Sequence, residues 1–300
     1  MNTQGLIYSY AAGTTSKDPY GFRVIEGSGP SRVSQILNAF PDQRRFFNSS
    51  AMIISGYTAS LGLTGDAPFV DTYLHFPTFL RAMKLAACER RQVIYASQPL
   101  SGAEMFFRLC DSNVELPRSL LWAVGGYYLP LSLEKAVRDR LEQCRCKLSC
   151  LHSYGIAEIG HSCFVATKRF ACGRPRYRKV ADEVQAEVST KDNRLTLTNC
   201  HNGRTVATSD QARLVGDEWQ ITSGSDRLAA KVLNELESWS NADWQQRTGY
   251  LQMDGTNLTI QLRENASKTA MKNELAYYDY LARFGGSFFC KPTWSDAAAS

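Results

Sequence analysis

The sequence lacks the features that mark membrane and nucleic-acid-binding proteins. No apolar run approaches the roughly 20 residues that a membrane-spanning helix needs, and Gly125-Gly126 interrupts the most apolar stretch, residues 120–131. Residues 1–5 lack the basic and apolar regions of a signal peptide. The net charge is +5, but the basic residues do not form a block. We therefore expect a cytoplasmic protein that has neither a membrane span nor a nucleic-acid partner.

The sequence also lacks the cysteine pattern of a disulfide framework and the histidine spacing of a metal site. The chain has nine cysteines, an odd number, which favours reduced thiols over a disulfide framework. Cys144, Cys146 and Cys150 lie close together, but their spacing is not that of a CxxC pair and no second cluster matches them. We predict that these three cysteines are packing residues, not metal ligands.

Along the chain, short apolar runs alternate with segments that have the apolar spacing of a helix. With 300 residues and 44% hydrophobic content, it can bury a substantial core in one large or two unequal domains. The pattern predicts strands at 50–55, 92–96, 119–124 and 147–152, separated by helices at 78–87, 101–110 and 133–144. This alternation is typical of an α/β fold with parallel strand pairing.

The pattern changes after about Gly173. Residues 184–188 and 194–198 alternate like half-buried strands, and residues 212–221 read as a hairpin that turns at Gly216-Asp217. Beyond Lys231 we predict a helix, strands at 248–253 and 257–263, a helix at 266–284 and a strand at 287–290. The predicted architecture is a large α/β domain with a β-rich subdomain, residues 1–225, followed by a small α+β domain, residues 226–300.

Two segments have residue types suited to a nucleotide. The run Gly13-Thr14-Thr15-Ser16-Lys17 follows a predicted strand, and glycine, hydroxyl and amide groups together can wrap a polyphosphate. The run from Tyr154-Gly155 to Glu158 offers an aromatic stacking face and a carboxylate, which is a hard ligand suited to Mg²⁺. The alternatives are a polar turn for the first segment and a strand-end turn with a solvated glutamate for the second.

Three more segments complete an ordered set. Gly125-Gly126 follows a buried strand, where small residues let a ligand approach the backbone. Thr208-Ser209-Asp210 supplies a carboxylate that can accept two hydroxyl donors at once. Ser225-Asp226-Arg227 comes next, with Lys231 beyond it.

In order and rough spacing, these segments resemble the motifs of the adenylate-forming superfamily. That superfamily comprises acyl-CoA synthetases, aryl-acid ligases, adenylation domains and luciferases. The order and lengths of the predicted elements resemble those of the compact, phenylacetate-CoA-ligase-like members, with a large domain shortened at its N-terminus. The resemblance implies ATP-dependent conversion of a small carboxylic acid, aromatic or hydroxylated, into an acyl-adenylate, with Mg²⁺ present. CoA or an acyl or peptidyl carrier protein would then accept the acyl group.

The resemblance also implies a role for individual residues. Gly13, Thr14, Thr15 and Lys17 would contact the phosphates, and Gly125, Gly126, Tyr154 and Gly155 would lie against the adenine. Asp210 would accept the ribose hydroxyls, Glu158 would hold Mg²⁺, and Arg227 would replace the family's motif arginine. Asp226 would be the hinge between the domains. Tyr127, His75 and His161 would face the acid, although each is also an ordinary packed or surface residue type.

Several motif positions depart from the family pattern. Pro19 stands at the place of the phosphate-loop lysine, Ala157 at that of a threonine and Gly224 at that of an arginine. A lost contact to a developing charge can cost about 10²- to 10³-fold in rate. The second interpretation is therefore a degenerate, non-catalytic member that binds a nucleotide, an acyl ligand or a protein. The third is an unrelated α/β protein with chance matches.

Overall fold

The computed structural model describes residues 7–10, 22–25, 32–47, 50–56, 67–72, 75–126, 128–156, 158–222, 237–240, 250–254, 257–261 and 268–271. The strands of this part of the chain form sheets of seven, four, three and two strands. The smallest sheet is an antiparallel pair, β1 (Ile7–Tyr10) and β2 (Phe22–Ile25). Within the described ranges, no helix is long and apolar enough to span a membrane.

The seven-stranded sheet organises the first half of the chain. Its strands are β3 (Ala51–Ser55), β4 (Phe69–Asp71), β5 (Gln92–Ser97), β6 (Ser119–Val124), β7 (Lys147–Ile156), β8 (Gly160–Ala166) and β9 (Arg178–Lys179). Their spatial order is β4-β3-β5-β6-β7-β8-β9. The first five in this order are mutually parallel, and β8 and β9 extend the sheet in antiparallel pairing. The predicted α/β class with parallel pairing is confirmed.

Helices cover both faces of this sheet. They are α1 (Arg32–Ala39), α2 (Phe76–Cys88), α3 (Pro99–Asp111) and α4 (Leu131–Gln143), with a 3₁₀ helix at Pro41–Phe46. On β5 and β6, Tyr95 and Trp122 face the core shared with α2, α3 and α4, whereas Ile94 and Leu121 face the core that contains Ile36 of α1. All five side chains are at most 1% exposed. Strands buried on both faces must be apolar throughout, which is why continuous apolar runs predicted them correctly.

An aromatic row fixes how the helices sit on the sheet. The rings of Phe79 and Tyr95 lie 4.8 Å apart, those of Tyr95 and Phe106 5.2 Å, and those of Phe106 and Trp122 5.3 Å. The last two pairs meet edge to face, an arrangement that the ring quadrupoles favour. One residue from α2, one from α3 and one from each central strand thus share a single core.

Gly102 lets α3 approach the sheet closely. A Cβ atom at this position would lie 2.1 Å from the Ser97 Oγ and 2.8 Å from the Trp122 Nε1. The Trp122 Nε1 donates a hydrogen bond of 2.8 Å to the same Ser97 Oγ, so neither group can move aside without losing a buried bond. The close approach therefore requires glycine.

We expect Gly102→Ala to destabilise the protein by roughly 1–3 kcal/mol, because the added methyl group overpacks a buried contact. Urea unfolding measures this free energy. The control is Ser101→Ala, one residue earlier on α3, for which we expect a smaller loss. A loss for Gly102→Ala no larger than that of the control would contradict the close approach.

The predicted β-rich subdomain is a four-stranded antiparallel sheet. Its strands, in sequence and in space, are β10 (Val184–Val188), β11 (Arg194–Asn199), β12 (Arg204–Val215) and β13 (Glu218–Thr222). The predicted hairpin is confirmed: β12 and β13 turn at Gly216-Asp217, where Gly216 has a φ of +61°. This sheet packs on Phe164 of β8, whose ring meets Trp219 edge to face at 5.5 Å.

The third sheet lies near the end of the chain. It contains β14 (Tyr250–Asp254), β15 (Asn257–Gln261) and β16 (Lys268–Met271). The prediction of two strands here is confirmed, but the predicted helix at 266–284 is wrong for residues 268–271. These residues pair antiparallel with the preceding strand β15, and pairing with a partner strand overrides the local helical pattern. The predicted domain boundary at residues 225–226 lies outside the described residues.

Candidate functional site

Two motif residues separated by 56 positions meet in the structure. The Tyr154 hydroxyl on β7 donates a hydrogen bond to the Asp210 Oδ2 on β12. The Asp210 side chain is buried, and its backbone N–H donates 3.0 Å to the Thr208 Oγ1. The sequence placed both residues at a nucleotide site, and their contact brings the two motifs together.

Packing also holds the Tyr154 ring. It lies edge to face with Phe164 at 5.8 Å and tilted against Tyr177 at 6.3 Å. Burial, followed by the Asp210 carboxylate, raises the pKa of the Tyr154 phenol well above its usual range. The phenol therefore stays protonated and remains a donor. A carboxylate has about four acceptor sites, so the bond from Tyr154 leaves the Asp210 side chain able in principle to accept further donors.

Gly155 and Glu158 lie at the hairpin that joins β7 to β8. A Cβ atom at position 155 would come within 2.5 Å of the Gly160 carbonyl oxygen and 2.8 Å of the Ser162 nitrogen. The hairpin backbone thus gives its own reason for glycine at this position. Glu158 is half-buried in the turn. Among the described residues, no group of three or more histidine, cysteine or acidic side chains has the arrangement of a metal site.

Gly125 and Gly126 follow β6 at the carboxyl edge of the sheet. The register pairs Val124 with His152, so these glycines leave β6 where β7 continues toward Tyr154. Gly126 has a φ of +92°, and a Cβ atom there would lie 3.4 Å from the Gln98 side chain, which follows β5. In parallel sheets, the carboxyl edge is where ligands bind.

His161 is enclosed beside a charged cluster that the sequence analysis missed. Arg32 on α1 donates to the Glu183 Oε1 at 2.5 Å, and Gln35 donates to the Glu183 Oε2 at 3.0 Å. Burial, with a smaller contribution from Arg32, lowers the pKa of His161 to about 4. Its Nε2 is buried and has no hydrogen-bond partner within the described part of the chain. His161 therefore presents a neutral imidazole at pH 7.

The other predicted residues are scattered or not described. His75 is exposed at the start of α2, with its Nδ1 2.9 Å from the Thr78 Oγ1. Eight predicted or motif residues lie outside the described part of the chain: Gly13, Thr14, Thr15, Lys17, Tyr127, Ala157, Asp226 and Arg227.

A buried ionic group at the β6–β7 edge was also not predicted from the sequence. Glu134 on α4 accepts hydrogen bonds from Arg138 and Arg169, and its Oε2 lies 3.4 Å from the His152 Nε2. One signal was present, because His152 precedes Tyr154 by two residues on the same strand. In contrast, Glu134 falls in a helix with a polar composition, where an acidic residue ordinarily faces solvent.

No family model and no curated protein matches the sequence. The structure is similar to an acyl-CoA synthetase (AMP-forming)/AMP-acid ligase II-like protein from Dyadobacter fermentans, at 13% identity and a TM-score of 0.46. That match covers 93% of this chain and 79% of the other. It is also similar to the anthranilate CoA ligase AuaEII in complex with anthranoyl-AMP, at 9% identity, a TM-score of 0.48 and coverage of 94% and 61%.

A third similar structure is the fatty acyl-adenylate ligase from L. pneumophila in complex with acyl adenylate and pyrophosphate. Its identity is 10% and its TM-score 0.46, with 88% of this chain and 58% of that one covered. The chain thus spans about three fifths of two of these ligases.

The neutral state of His161 gives a pH-dependent stability. Its pKa falls from 6.5, the ordinary value expected in the unfolded chain, to about 4 in the folded protein. Protonation therefore favours the unfolded chain, so this contribution is complete above pH 6.5 and declines as the pH falls toward 4. The loss at pH 4 is ~3 kcal/mol.

We expect His161→Gln to flatten the dependence of unfolding free energy on pH between 6.5 and 4, measured by urea unfolding. His201→Gln is the matched control, because His201 is exposed and its loss should leave the wild-type slope intact. Equal slopes for wild type and His161→Gln would show that His161 is not held neutral.

Proposed function

We propose that this chain activates a small carboxylic acid with ATP, giving an acyl-adenylate and pyrophosphate. The observation that carries the proposal is the hydrogen bond between Tyr154 and Asp210. It joins the residues that the motif resemblance assigns to the adenine and the ribose of one nucleotide. A shared nucleotide site requires these two positions to lie together, and their hydrogen bond meets that requirement.

The position of Gly125 and Gly126 supports the same site. They leave β6 at the edge where β7 leads to Tyr154, and Gly126 is exposed and has a φ of +92°. In the proposed complex, the adenine lies between this backbone and Tyr154, against Gly155. Asp210 then accepts the ribose hydroxyls alongside the Tyr154 hydroxyl.

The phosphate side of the site rests on the motif resemblance alone. The phosphate oxygens would accept hydrogen bonds from Gly13, Thr14, Thr15 and Lys17. Arg227, from the Ser225-Asp226-Arg227 segment, would also approach them. Glu158 is half-buried at the β7–β8 turn, and its carboxylate is a suitable ligand for Mg²⁺, which would neutralise phosphate charge. The described residues contain no group of three or more ligating side chains, so Glu158 would suit a cation that keeps most of its ligands as water and phosphate oxygens.

The chemical step is an in-line displacement at phosphorus. A carboxylate oxygen of the acid attacks the α-phosphorus, an O–P bond forms, and the bond to the bridging oxygen breaks as pyrophosphate leaves. The protein's part is to position the two reactants and to place positive charge around the transferring group. Transfer to CoA or a carrier-protein thiol would follow as a second step.

His161 is the predicted acid-facing residue with the clearest supporting geometry. Its Nε2 is buried and unpartnered in the described structure, so a polar group of a bound acid would satisfy it. A neutral imidazole suits a hydroxyl or a carboxyl oxygen as its partner. His75 is exposed and already contacts Thr78, which gives it weaker support, and Tyr127 keeps only its sequence-based assignment.

A second candidate function is ligand binding without turnover. It is favoured by Pro19, which stands at the place of the lysine in the phosphate-loop motif that the sequence resembles. ATP–pyrophosphate exchange across a panel of aliphatic, aromatic and hydroxylated acids separates the two functions. Exchange with any acid supports the enzyme, and clear ATP binding without exchange supports the binding protein.

Nucleotide binding itself predicts a ranking of variants. ATP should raise the melting temperature of the wild type, because a ligand that binds only the folded state stabilises it. Asp210→Asn should remove most of this shift, since it removes the charge that receives the ribose hydroxyls. Tyr154→Phe keeps both the ring and the carboxylate, so it should reduce the shift less.

Asp192→Asn is the matched control for this ranking. Asp192 is an exposed aspartate of the same β-rich subdomain that pairs with Arg194 at 3.0 Å. The control should respond to ATP as the wild type does. A full shift in Asp210→Asn would remove Asp210 from the nucleotide site.

A further inference from the structure

One buried carboxylate collects three donors next to the proposed nucleotide site. Glu134 is 5% exposed and lies in the first turn of α4. Its Oε1 accepts from the Arg138 Nη2 at 2.7 Å. Its Oε2 accepts from Arg169 through both Nε, at 2.8 Å, and Nη2. His152 completes the group at 3.4 Å.

The ionisation states in this group are well defined. Burial alone would raise the pKa of Glu134, but hydrogen bonding from His152 and the charge of Arg169 hold it well below its usual range. Burial lowers the pKa of His152, with Arg169 and Arg138 acting in the same direction. At pH 7, Glu134 is therefore an anion and His152 is neutral. The thiol of Cys150, which also faces Glu134, stays protonated because burial raises its pKa.

Arg169 differs from Arg138 because it also binds the neighbouring backbone. Its Nη2 donates 3.0 Å to the carbonyl oxygen of Leu129, and its Nη1 donates 2.6 Å to that of Gly173. Its guanidinium lies 5.7 Å from the ring centre of Tyr128. The Arg169 side chain therefore joins three segments: α4 through Glu134, the turn at 169–173 and the loop 125–130. β7 is linked to it through His152, which contacts Glu134.

The loop 125–130 is the segment whose position matters for a nucleotide. It begins with Gly125 and Gly126 and ends at Pro130, which starts α4 without a side-chain cap. Arg169 holds the end of this loop by Leu129, and Glu134 fixes Arg169 in turn. A guanidinium has five donors in a rigid fork, so it can serve one carboxylate and two carbonyl groups at the same time.

We propose that Arg169 is a positioning residue that sets the loop 125–130 against β7, so that the Gly125-Gly126 backbone is placed to receive the nucleotide base. This inference rests on the proposed function, because it assumes that the loop contacts the nucleotide. Arg169 acts through the loop and does not touch the ligand. Glu134 orients Arg169, and His152 contacts Glu134 in turn.

A purely structural role for the ionic group makes a different prediction. Losing either arginine leaves the buried Glu134 carboxylate with fewer partners, which costs stability in both cases. Of these two arginines, Arg169 donates a hydrogen bond to the Leu129 carbonyl oxygen of the loop. Arg138 donates to Glu134, and the Arg138 side chain is 36% exposed. Arg138 is thus a matched control on the same carboxylate.

The experiment compares Arg169→Gln with Arg138→Gln in the full chain. The affinity for ATP is measured by calorimetry, the unfolding free energy by urea, and backbone amide exchange by mass spectrometry of peptides that cover 125–130. We expect Arg169→Gln to raise the Kd for ATP about five-fold or more and to speed exchange in these peptides. Arg138→Gln should lower stability but change neither the Kd nor the exchange of the loop by as much as two-fold.

Arg169→Lys covers the case in which Arg169→Gln does not fold. Lysine keeps the positive charge for Glu134 but cannot reach the carboxylate and both carbonyl groups with one ammonium. The Kd for ATP should rise while most of the stability is kept. Folded Arg169 variants that bind ATP as the wild type does would overturn the inference, as would equal effects of Arg138→Gln.

Failure of the proposed function gives a separate result. A wild-type chain that binds no ATP overturns the nucleotide site and the positioning role with it. In that case the exchange measurement still decides whether Arg169 holds the loop, because it needs no ligand. Normal ATP binding with unchanged exchange in Arg169→Gln overturns only the role of Arg169.

Discussion

The parallel pairing of β6 with β7 is the constraint on which the rest of the structure depends. Its register sets Val124 opposite His152. Because the side chains of a strand alternate between faces, a slip of one residue would send Trp122 to the core of α1 and Leu121 to the core of the other helices. Two cores of different shape thus fix one register. That register also fixes where Gly125 leaves the sheet relative to Tyr154.

β7 has a second role that follows from its length. It runs from Lys147 to Ile156, beyond the end of β6, and its last residues pair antiparallel with β8. The sheet therefore changes from parallel to antiparallel along one strand. This change carries Tyr154 away from the helical cores toward the β-rich subdomain, where β12 supplies Asp210. The contact between the two motifs is a consequence of this continuous strand.

The sequence predicts the fold well where the pattern is local. Strands buried on both faces read as continuous apolar runs, and the helices between them have the spacing of one buried face. The hairpin at Gly216 was predictable because a positive φ favours glycine. The extension of β7 and the strand at 268–271 were not predicted, because each depends on a partner strand and not on its own residues.

The candidate site was only partly predictable for the same reason. The order of the motifs placed Tyr154 and Asp210 together, but not the hydrogen bond between them. The partners of Glu134 lie up to 35 positions away, and Glu183, the ion-pair partner of Arg32, lies 151 positions away. Side chains of these types usually face water, so only the fold reveals that they are buried.

The distribution of buried polar groups bears on the choice between a scaffold and a ligand site. An ion pair in a protein interior is often no more stabilising than well-packed apolar residues of the same volume. Three polar pairs surround the second half of β7 and its hairpin. They are Glu134 with Arg169, Tyr154 with Asp210, and Arg32 with Glu183. The cores on either side of the sheet consist largely of aliphatic and aromatic side chains.

A chain selected for stability alone gains little from concentrating such groups at one edge of its sheet. A chain that binds a charged, hydroxylated ligand gains orientation, because a fully satisfied polar network holds each backbone segment in one position. Rigidity of this kind serves an enzyme and a binding protein equally well, since both need a formed nucleotide pocket. What separates them is the charge that would meet the phosphates, and Pro19 stands at the place of the lysine in the phosphate-loop motif that the sequence resembles. In the proposed enzyme, turnover would therefore depend on whether Lys17 or Arg227 supplies that charge.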